Sequence, residues 1–384
     1  MNILVLTLSF GSGHVSAAGA VAKEIERQSP DADVRVIDAL AECRLLFRAG
    51  YVWPYWLMLR YAPRLWDRLA SARIEQKHER TAPDWAFRFG CQKVFQTIET
   101  FQPDVIVAVE VGACEMSVVA RRMKITRAPI LSVITDYEAE PVWIKPEVAA
   151  FTVADDHGRA ELIEWGAPPD DIFVTGIPID RSFTIKHDER ATRLRHGIND
   201  RLPIVLLMGG GMGPTRMDEV ARELADADIG AHLIAIAGRD DRVRRRLESL
   251  RVKGRASLRV LGWTDDVPAL MQAAAILATK PGGLTMLEAA SCSLPLVLFD
   301  PIPGAEFINA KRMVDAGAAM LTQGARATAA QVLSLLLDQK ARDTIAVNAG
   351  RIARPHARKE IAELALQLAG SDQGTRARAV RRTA

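Results

Sequence analysis

The same order of elements occurs twice in this chain: a short apolar run, a turn rich in glycine, a helical stretch and a second apolar run. Residues 2–8 (Asn-Ile-Leu-Val-Leu-Thr-Leu) have the continuous apolar character of a strand buried on both faces of a parallel sheet. Gly11-Ser12-Gly13-His14 follows, then an Ala-rich helical stretch to about Gln28, and Val34–Ile37 reads as the next strand. In the second half Pro203–Met208 leads into Gly209-Gly210-Gly211-Met212-Gly213 and a helix to about Ala225. Further strands are expected at Val105–Val109, Ile130–Thr135 and Phe151–Ala154, and at His232–Ala237, Leu258–Leu261, Ala275–Ala278 and Leu296–Phe299. This alternation predicts an α/β chain made of two Rossmann-like, doubly wound parallel-sheet domains facing a cleft. The length of 384 residues suits two domains. We place them at residues 1–178 and 201–369, joined by a linker over 179–200, with Gly176-Ile177-Pro178-Ile179-Asp180 at the junction.

Charge and cysteine usage exclude several classes. Fifty basic residues against 47 acidic leave a net charge of +3, too balanced for a chain that binds nucleic acid by bulk charge. The basic excess is local: Arg376, Arg378, Arg381 and Arg382 crowd residues 370–384, which read as a disordered basic tail, either solvated or in touch with anionic lipid. Cys43, Cys91, Cys114 and Cys292 are scattered, which predicts reduced thiols and no zinc site. No run approaches the roughly 18 apolar residues of a membrane-spanning helix. The apolar start before Ala18-Gly19-Ala20 lacks the basic n-region of a signal peptide and is interrupted by a glycine turn.

Residues 41–70 break the α/β pattern. Tyr51, Trp53, Tyr55, Trp56, Tyr61 and Trp66 are interleaved with Arg44, Arg48, Arg60, Arg64 and Arg68. Aromatic rings beside arginines suit the headgroup layer of a bilayer, so this segment is expected to meet an anionic membrane surface; the alternative is an aromatic lid on the first domain. Pro54 and Pro63 argue against one continuous helix here.

A glycine turn between strand and helix lets backbone N–H groups and the helix N-terminus approach a phosphate. Gly11 and Gly13 form such a turn, with Ser16 where a dinucleotide fingerprint wants its third glycine and Asp38 as a candidate ribose acid. An imidazole adds nothing to that fingerprint. His14 is better used as a base or a phosphate donor, or else caps its own helix. The densest signal is Lys280-Pro281-Gly282-Gly283-Leu284-Thr285-Met286-Leu287-Glu288, where a strand ends and a helix begins. The amides of Gly282, Gly283 and Leu284 with the Thr285 hydroxyl suit a diphosphate. Glu288, one turn further, can accept from both ribose hydroxyls, or is an ordinary first-turn glutamate. Trp263, after Gly262, is placed for a base, and Glu306 and Asn309, three apart on one helix face, for sugar hydroxyls.

These motifs together resemble the monogalactosyldiacylglycerol-synthase and processive diacylglycerol-glucosyltransferase family of GT-B glycosyltransferases. More distantly they are similar to the lipid-linked N-acetylglucosaminyltransferase of cell-wall synthesis. The carriers are Phe10-Gly11-Ser12-Gly13-His14 with Ala17 and Ala18, Thr135-Asp136 with Trp143, Gly176-Ile177-Pro178, the 280–288 segment, and Pro303-Gly304-Ala305-Glu306 with Asn309. The resemblance implies an N-terminal acceptor domain at the membrane, a C-terminal domain for a UDP-sugar, and an inverting transfer to diacylglycerol or a related lipid. It implies no metal in the chemistry and no other cofactor, and a cytoplasmic protein peripheral on the inner face of the cell membrane. Gly210, Gly211 and the 282–285 turn would cradle the diphosphate, Glu288 the ribose, and Glu306 and Asn309 the sugar. His14 and Asp136 are the candidate bases. Three positions depart from the family pattern: Ala305 in place of glutamine, Glu138 and Glu140 where a histidine is usual, and Glu110-Val111-Gly112 in place of a His-Pro turn. Two other enzyme readings remain, a UDP-sugar 2-epimerase and a nicotinamide oxidoreductase resting on Gly11, Gly13 and Asp38. A non-catalytic nucleotide- or lipid-binding relative is the fourth.

Overall fold

The computed structural model describes residues 1–9, 11–62, 81–209, 216–227, 230–253, 257–302 and 304–370, leaving aside the side chains of residues 55, 56, 59 and 60. The chain divides into two compact units, one of residues 1–180 with 303–305 and the C-terminal segment from Arg354, the other of residues 181–302 and 306–353.

The first unit is a six-stranded parallel sheet of β1 (Asn2–Thr7), β2 (Asp33–Asp38), β3 (Val105–Ala108), β4 (Ile130–Val133), β5 (Val148–Val153) and β6 (Ile172–Val174). Its order is β2-β1-β3-β4-β5-β6, so the chain reverses direction across the sheet between β1 and β3. Ile3, Leu4, Val5 and Leu6, and Val105, Ile106 and Val107, are fully buried, which is why those runs lack polar alternation. Truncating one such Leu or Ile to Ala costs about 2–5 kcal/mol. Helices α1 (Ser12–Gln28), α2 (Ala39–Glu42), α3 (Leu45–Tyr61), α4 (Asp84–Gly90), α5 (Gln92–Phe101), α6 (Val111–Arg122) and α7 (Asp156–Glu164) accompany it. β6 was not among the expected strands because three residues at a sheet edge, one buried and two half-buried, carry no periodicity.

Helix α3 runs continuously through Pro54, against the expectation that proline would divide this segment. Proline removes the N–H that would reach the Gly50 carbonyl. Both residues lie on the exposed side, where that carbonyl is not stranded in the core. The inner side packs through Phe47 and Tyr51, stacked with ring centroids 5.2 Å apart, against Phe87 of α4. Residues 63–80, with Arg64, Trp66 and Arg68, lie outside the described residues, as do Phe10 and the tail from 371. All four cysteines are free thiols; Cys43 and Cys91 meet, with Sγ atoms 2.8 Å apart, and the hydrogen bond with Cys43, with burial second, pushes the Cys91 thiol up.

The second unit repeats the plan with β7 (Ile204–Met208), β8 (His232–Ile236), β9 (Ser257–Leu261), β10 (Ile276–Thr279), β11 (Leu296–Phe299) and β12 (Ala319–Thr322). The order β12-β11-β10-β7-β8-β9 puts the reversal between β7 and β10. Its helices are α8 (Glu189–Arg195), α9 (Met217–Asp226), α10 (Asp241–Glu248), α11 (Val267–Ala273), α12 (Gly283–Ser291), α13 (Ala305–Asp315), α14 (Ala325–Leu337) and α15 (Gln339–Ile352). β12, another half-exposed edge strand, also went unsignalled.

The structure corrects the expected domain boundaries at two places. Residues 181–200, read as a linker, are built into the second unit: Asp188 caps α8, the His187 amide donates to Gln272, and His196 and Arg195 hold Asp266. Helix α16 (Ala357–Gly370), expected with the second domain, packs on α1 of the first. Its Arg358 lies 3.5 Å from Glu24, a 4% exposed carboxylate that also accepts from Arg27 and Gln28. The Arg27 guanidinium holds that carboxyl below its ordinary range. Gly176 sits at φ +90°, and a Cβ there would press into Arg354 where the chain enters α16. The Gly176-Ile177-Pro178 motif is therefore a packing requirement of the returning chain.

Candidate active site

Ligands on doubly wound sheets bind outside the carboxyl ends of the strands, at the point where the strand order reverses. In the first unit that point lies between the segments leaving β1 and β3. Beyond β1, Gly11 is the N-cap of α1, extended at φ −156°, with no side-chain cap and no acidic residue in the first turn. A Cβ on Gly11 would meet nothing within 4 Å. The positive end of α1 is thus left open, unlike α7, α8 and α10, whose ends are closed by Asp155, Asp188 and Asp240.

His14 sits in this first turn. Its Nδ1 lies 2.8 Å from Oγ1 of Thr135, which follows β4 and is 4% exposed. Burial lowers the His14 imidazole below its ordinary 6.5, and the charge of nearby Asp136 opposes the shift. The imidazole is neutral at pH 7, and in the tautomer that donates Nδ1–H to Thr135 its Nε2 is left as an acceptor. Asp136 is half-buried beside it. The structure thus brings His14, Thr135 and Asp136 together across 121 residues of sequence. Asp38, the candidate ribose acid of a nicotinamide site, is spent locally: its Oδ1 accepts from Ser9 N and Leu40 N, both at 3.1 Å.

Glu110, on the far side of the reversal, is a residue to which sequence reasoning assigned no role. It caps α6, accepting from Gly112 N at 2.6 Å and Ala113 N at 3.2 Å. Burial pushes its carboxyl from 4.5 up to about 8, against the pull of those two amides and with help from the charges of Glu115 and Glu140. Glu115 accepts from the Thr81 amide at 2.9 Å, and Thr81 Oγ1 meets the Tyr51 hydroxyl of α3 at 2.9 Å. A buried, protonated carboxyl therefore stands at the end of β3 where the family pattern has His-Pro. Its only sequence signal was that departure.

In the second unit the reversal lies between β7 and β10. Gly210 and Gly211 lie outside the described residues; Gly209, ending the β7 segment, is buried. Beyond β10, Gly282 is the N-cap of α12, with no side-chain cap and no acidic residue in the first turn. A Cβ on Gly282 would meet nothing within 4 Å. Leu284, Met286 and Leu287 face the core, while Gly282, Gly283, Thr285 and Glu288 are partly accessible. Thr285 and Glu288 share a helix face. The Leu284 side chain is in the core, so only its backbone is available to a ligand.

Trp263, beyond β9, is 60% exposed, with the Arg239 guanidinium 4.6 Å from its ring centroid. Glu306, in the first turn of α13, accepts from Ile302 N at 2.8 Å and lies 3.7 Å from Lys280 Nζ. Asn309 is 1% exposed, so of the pair expected to face a sugar only Glu306 reaches the surface. Asp300, beyond β11, adopts φ +47° and receives two hydrogen bonds from Arg216, at 2.9 and 2.8 Å. That guanidinium holds the Asp300 carboxyl below its ordinary range. Across 84 residues, neither partner carried a sequence signal.

Residues 14–179 match the family model of monogalactosyldiacylglycerol (MGDG) synthase, and residues 197–351 match that of glycosyl transferases group 1. Among curated proteins, the chain is 27% identical over 342 residues to a processive diacylglycerol beta-glucosyltransferase of Bacillus licheniformis, covering 88% of each chain. Among solved structures, it resembles Acinetobacter baumannii MurG (TM-score 0.62, 16% identity, 95% of this chain and 99% of that one). It also resembles Anabaena Alr3699/HepE, solved with UDP-glucose (TM-score 0.57, 17% identity, 95% and 99%). These likenesses fix the fold as GT-B, two Rossmann-like domains. Both halves of the chain thus match glycosyltransferase models in this order, the first domain that of monogalactosyldiacylglycerol synthase and the second that of glycosyl transferases group 1.

Proposed function

We propose that this protein transfers a hexose from a UDP-sugar to diacylglycerol or a related glycolipid at a membrane surface, inverting the anomeric carbon to give a β-glycolipid. The observation that carries the donor side is the open N-terminus of α12, with Thr285 and Glu288 on its one accessible face. The Gly282 amide is donated to the Lys280 carbonyl at 2.9 Å, so the amides of Gly283, Leu284 and Thr285 take the diphosphate, Thr285 adds a hydroxyl and Glu288 accepts from the ribose. Trp263 offers a face for the uracil. The relatives named as diacylglycerol glucosyltransferases and the structural neighbour that holds UDP-glucose support this reading.

On the acceptor side His14 Nε2 takes the proton of the acceptor hydroxyl as its oxygen attacks the anomeric carbon. The bond from that carbon to the β-phosphate oxygen breaks with its electron pair leaving on UDP. Thr135 fixes the tautomer, and Asp136 stabilises the imidazolium that forms. The charge arising on UDP is met by the amides of α12, with no metal ion or other cofactor called for. A single displacement on an α-linked donor gives a β-linked product.

For the lipid surface we propose α3 together with α4, which the sequence had not included. Leu45, Leu46, Trp53, Leu57 and Tyr61 of α3, and Trp85 and Phe89 of α4, are exposed, and Arg44 lies 4.5 Å over the Phe89 ring. α3 contains Arg48 and Arg60 and no acidic residue. Among the described residues no helix is long and apolar enough to cross a membrane, so this face suits the headgroup layer. Trp53→Ser with Trp85→Ser is expected to abolish co-sedimentation with phosphatidylglycerol vesicles while UDP affinity is unchanged. Undiminished co-sedimentation would remove α3 and α4 from the membrane contact.

Binding tests the donor reading. Glu288→Ala is expected to weaken uridine and UDP alike, by about 10- to 100-fold, as a charged hydrogen-bond acceptor is lost. Native affinity for uridine in that variant would contradict the ribose assignment.

A further inference from the structure

Lys280 ends the β10 segment immediately before the glycine turn of α12 and is only 2% exposed, one of the largest fully buried side chains of the described chain. Its ammonium has no hydrogen-bond partner among the described residues. The nearest recorded opposite charge is Glu306 Oε2 at 3.7 Å, too long for a hydrogen bond. That carboxylate oxygen is itself engaged by the Ile302 amide. The other carboxylate that feels Lys280, Asp300, is held by Arg216 through two hydrogen bonds. An ammonium carries three donors, and burying it with none spent costs several kcal/mol. A protein keeps such a group where a ligand supplies the acceptors.

The position identifies that ligand. Lys280 lies two residues before the Gly282 N-cap of α12, whose first turn holds no acid, and its ammonium is 3.7 Å from Glu306 in the first turn of α13. We propose that Lys280 is a catalytic residue for this reaction: its ammonium binds the β-phosphate of the donor and takes the negative charge that develops there as the sugar leaves. This inference rests on the donor reading above and adds to it a named cation. When the bond from the anomeric carbon to the β-phosphate oxygen breaks, the electron pair stays on that oxygen and UDP gains one negative charge. The acceptor oxygen forms the new bond to carbon, and its proton goes to His14. A cation already desolvated beside the leaving oxygen favours the transition state over the bound donor, because only the former carries the extra charge.

Glu306 has the complementary part. In the free protein it is the counter-ion of Lys280. When a phosphate replaces it there, its carboxylate is released toward the sugar. The ion pair therefore exchanges partners on donor binding, and removing Glu306 leaves Lys280 more positive toward phosphate.

Calorimetric titration of the full-length protein with UDP and with uridine tests this. Lys280→Met fills the space with an apolar chain of similar length but leaves Glu306 without its counter-ion, which is why the double variant is measured beside it. It is expected to weaken UDP by about 10- to 100-fold and to leave uridine within about twofold. Lys280→Arg should recover part of the UDP affinity. Glu306→Gln should tighten UDP, and Lys280→Met with Glu306→Gln guards against the effect of a newly unpaired carboxylate. Native UDP affinity in Lys280→Met, or equal losses of UDP and uridine, would overturn the assignment. Failure of the native protein to bind either compound would overturn the donor reading, and this inference with it.

Discussion

His14→Ala is expected to lower turnover by about 10²–10⁴-fold, the range for loss of a positioned general base, with UDP affinity unchanged. Thr135 Oγ1 holds Nδ1 at 2.8 Å, which directs the other ring nitrogen outward as an acceptor. Burial lowers the imidazole's pKa, so it is neutral and ready to accept a proton at pH 7, and the acid limb of the rate profile should fall below the ordinary 6.5. Thr135→Ala should give a smaller loss with the acid limb kept in place, because the ring keeps its basicity and loses its orientation. Initial rates on diacylglycerol liposomes, with UDP titration beside them, check both. Equal losses of rate and UDP affinity would mean that His14 supports the fold and not the transfer.

The second large effect is on stability and has a defined sign. The Glu110 carboxyl titrates at about 8 when folded, against 4.5 for the free group. Between these values the folded protein keeps a proton that the unfolded chain has released. Stability therefore falls as pH rises from about 4.5 to 8, by on the order of a few kcal/mol, and the loss is complete above the folded value. Glu110→Gln keeps the oxygen that accepts from Gly112 and Ala113 and removes the titration. Between pH 5 and 8.5 the melting temperature of the native protein should drop by roughly 5 °C or more relative to that of Glu110→Gln. Parallel curves would show that the carboxyl is already ionised in the folded state. Other groups titrate in both proteins, so the difference isolates Glu110.

The sheets were legible because parallel strands buried on both faces leave unbroken apolar runs, as at 2–8 and 203–208. β6 and β12 left no such mark, being short edge strands of which only the first residue is buried. Pro54 misled because a proline on the exposed side of α3 costs the helix less than one facing the core. The C-terminal helix was misplaced because its attachment depends on Glu24 and Arg358, more than 300 residues apart. The same limit governs the site. The glycines and the 282–288 motif are contiguous and could be read; the contact of His14 with Thr135 could be guessed only through the resemblance. Lys280 stood in plain view within its motif, yet its want of a partner is a property of the folded core. Trp85 and Phe89 escaped notice because an exposed apolar surface is assembled from two helices.

Full-length protein is incubated with diacylglycerol liposomes and, separately, UDP-glucose, UDP-galactose, UDP-N-acetylglucosamine and UDP-glucuronate, and the lipids are read by mass and by the anomeric proton coupling. The predicted result is a lipid one hexose heavier, β-linked, formed with a neutral hexose donor and lost in His14→Ala. A product in the α configuration would contradict single displacement. No glycolipid from any of the four donors, with no affinity for UDP, would contradict the assignment of the reaction itself.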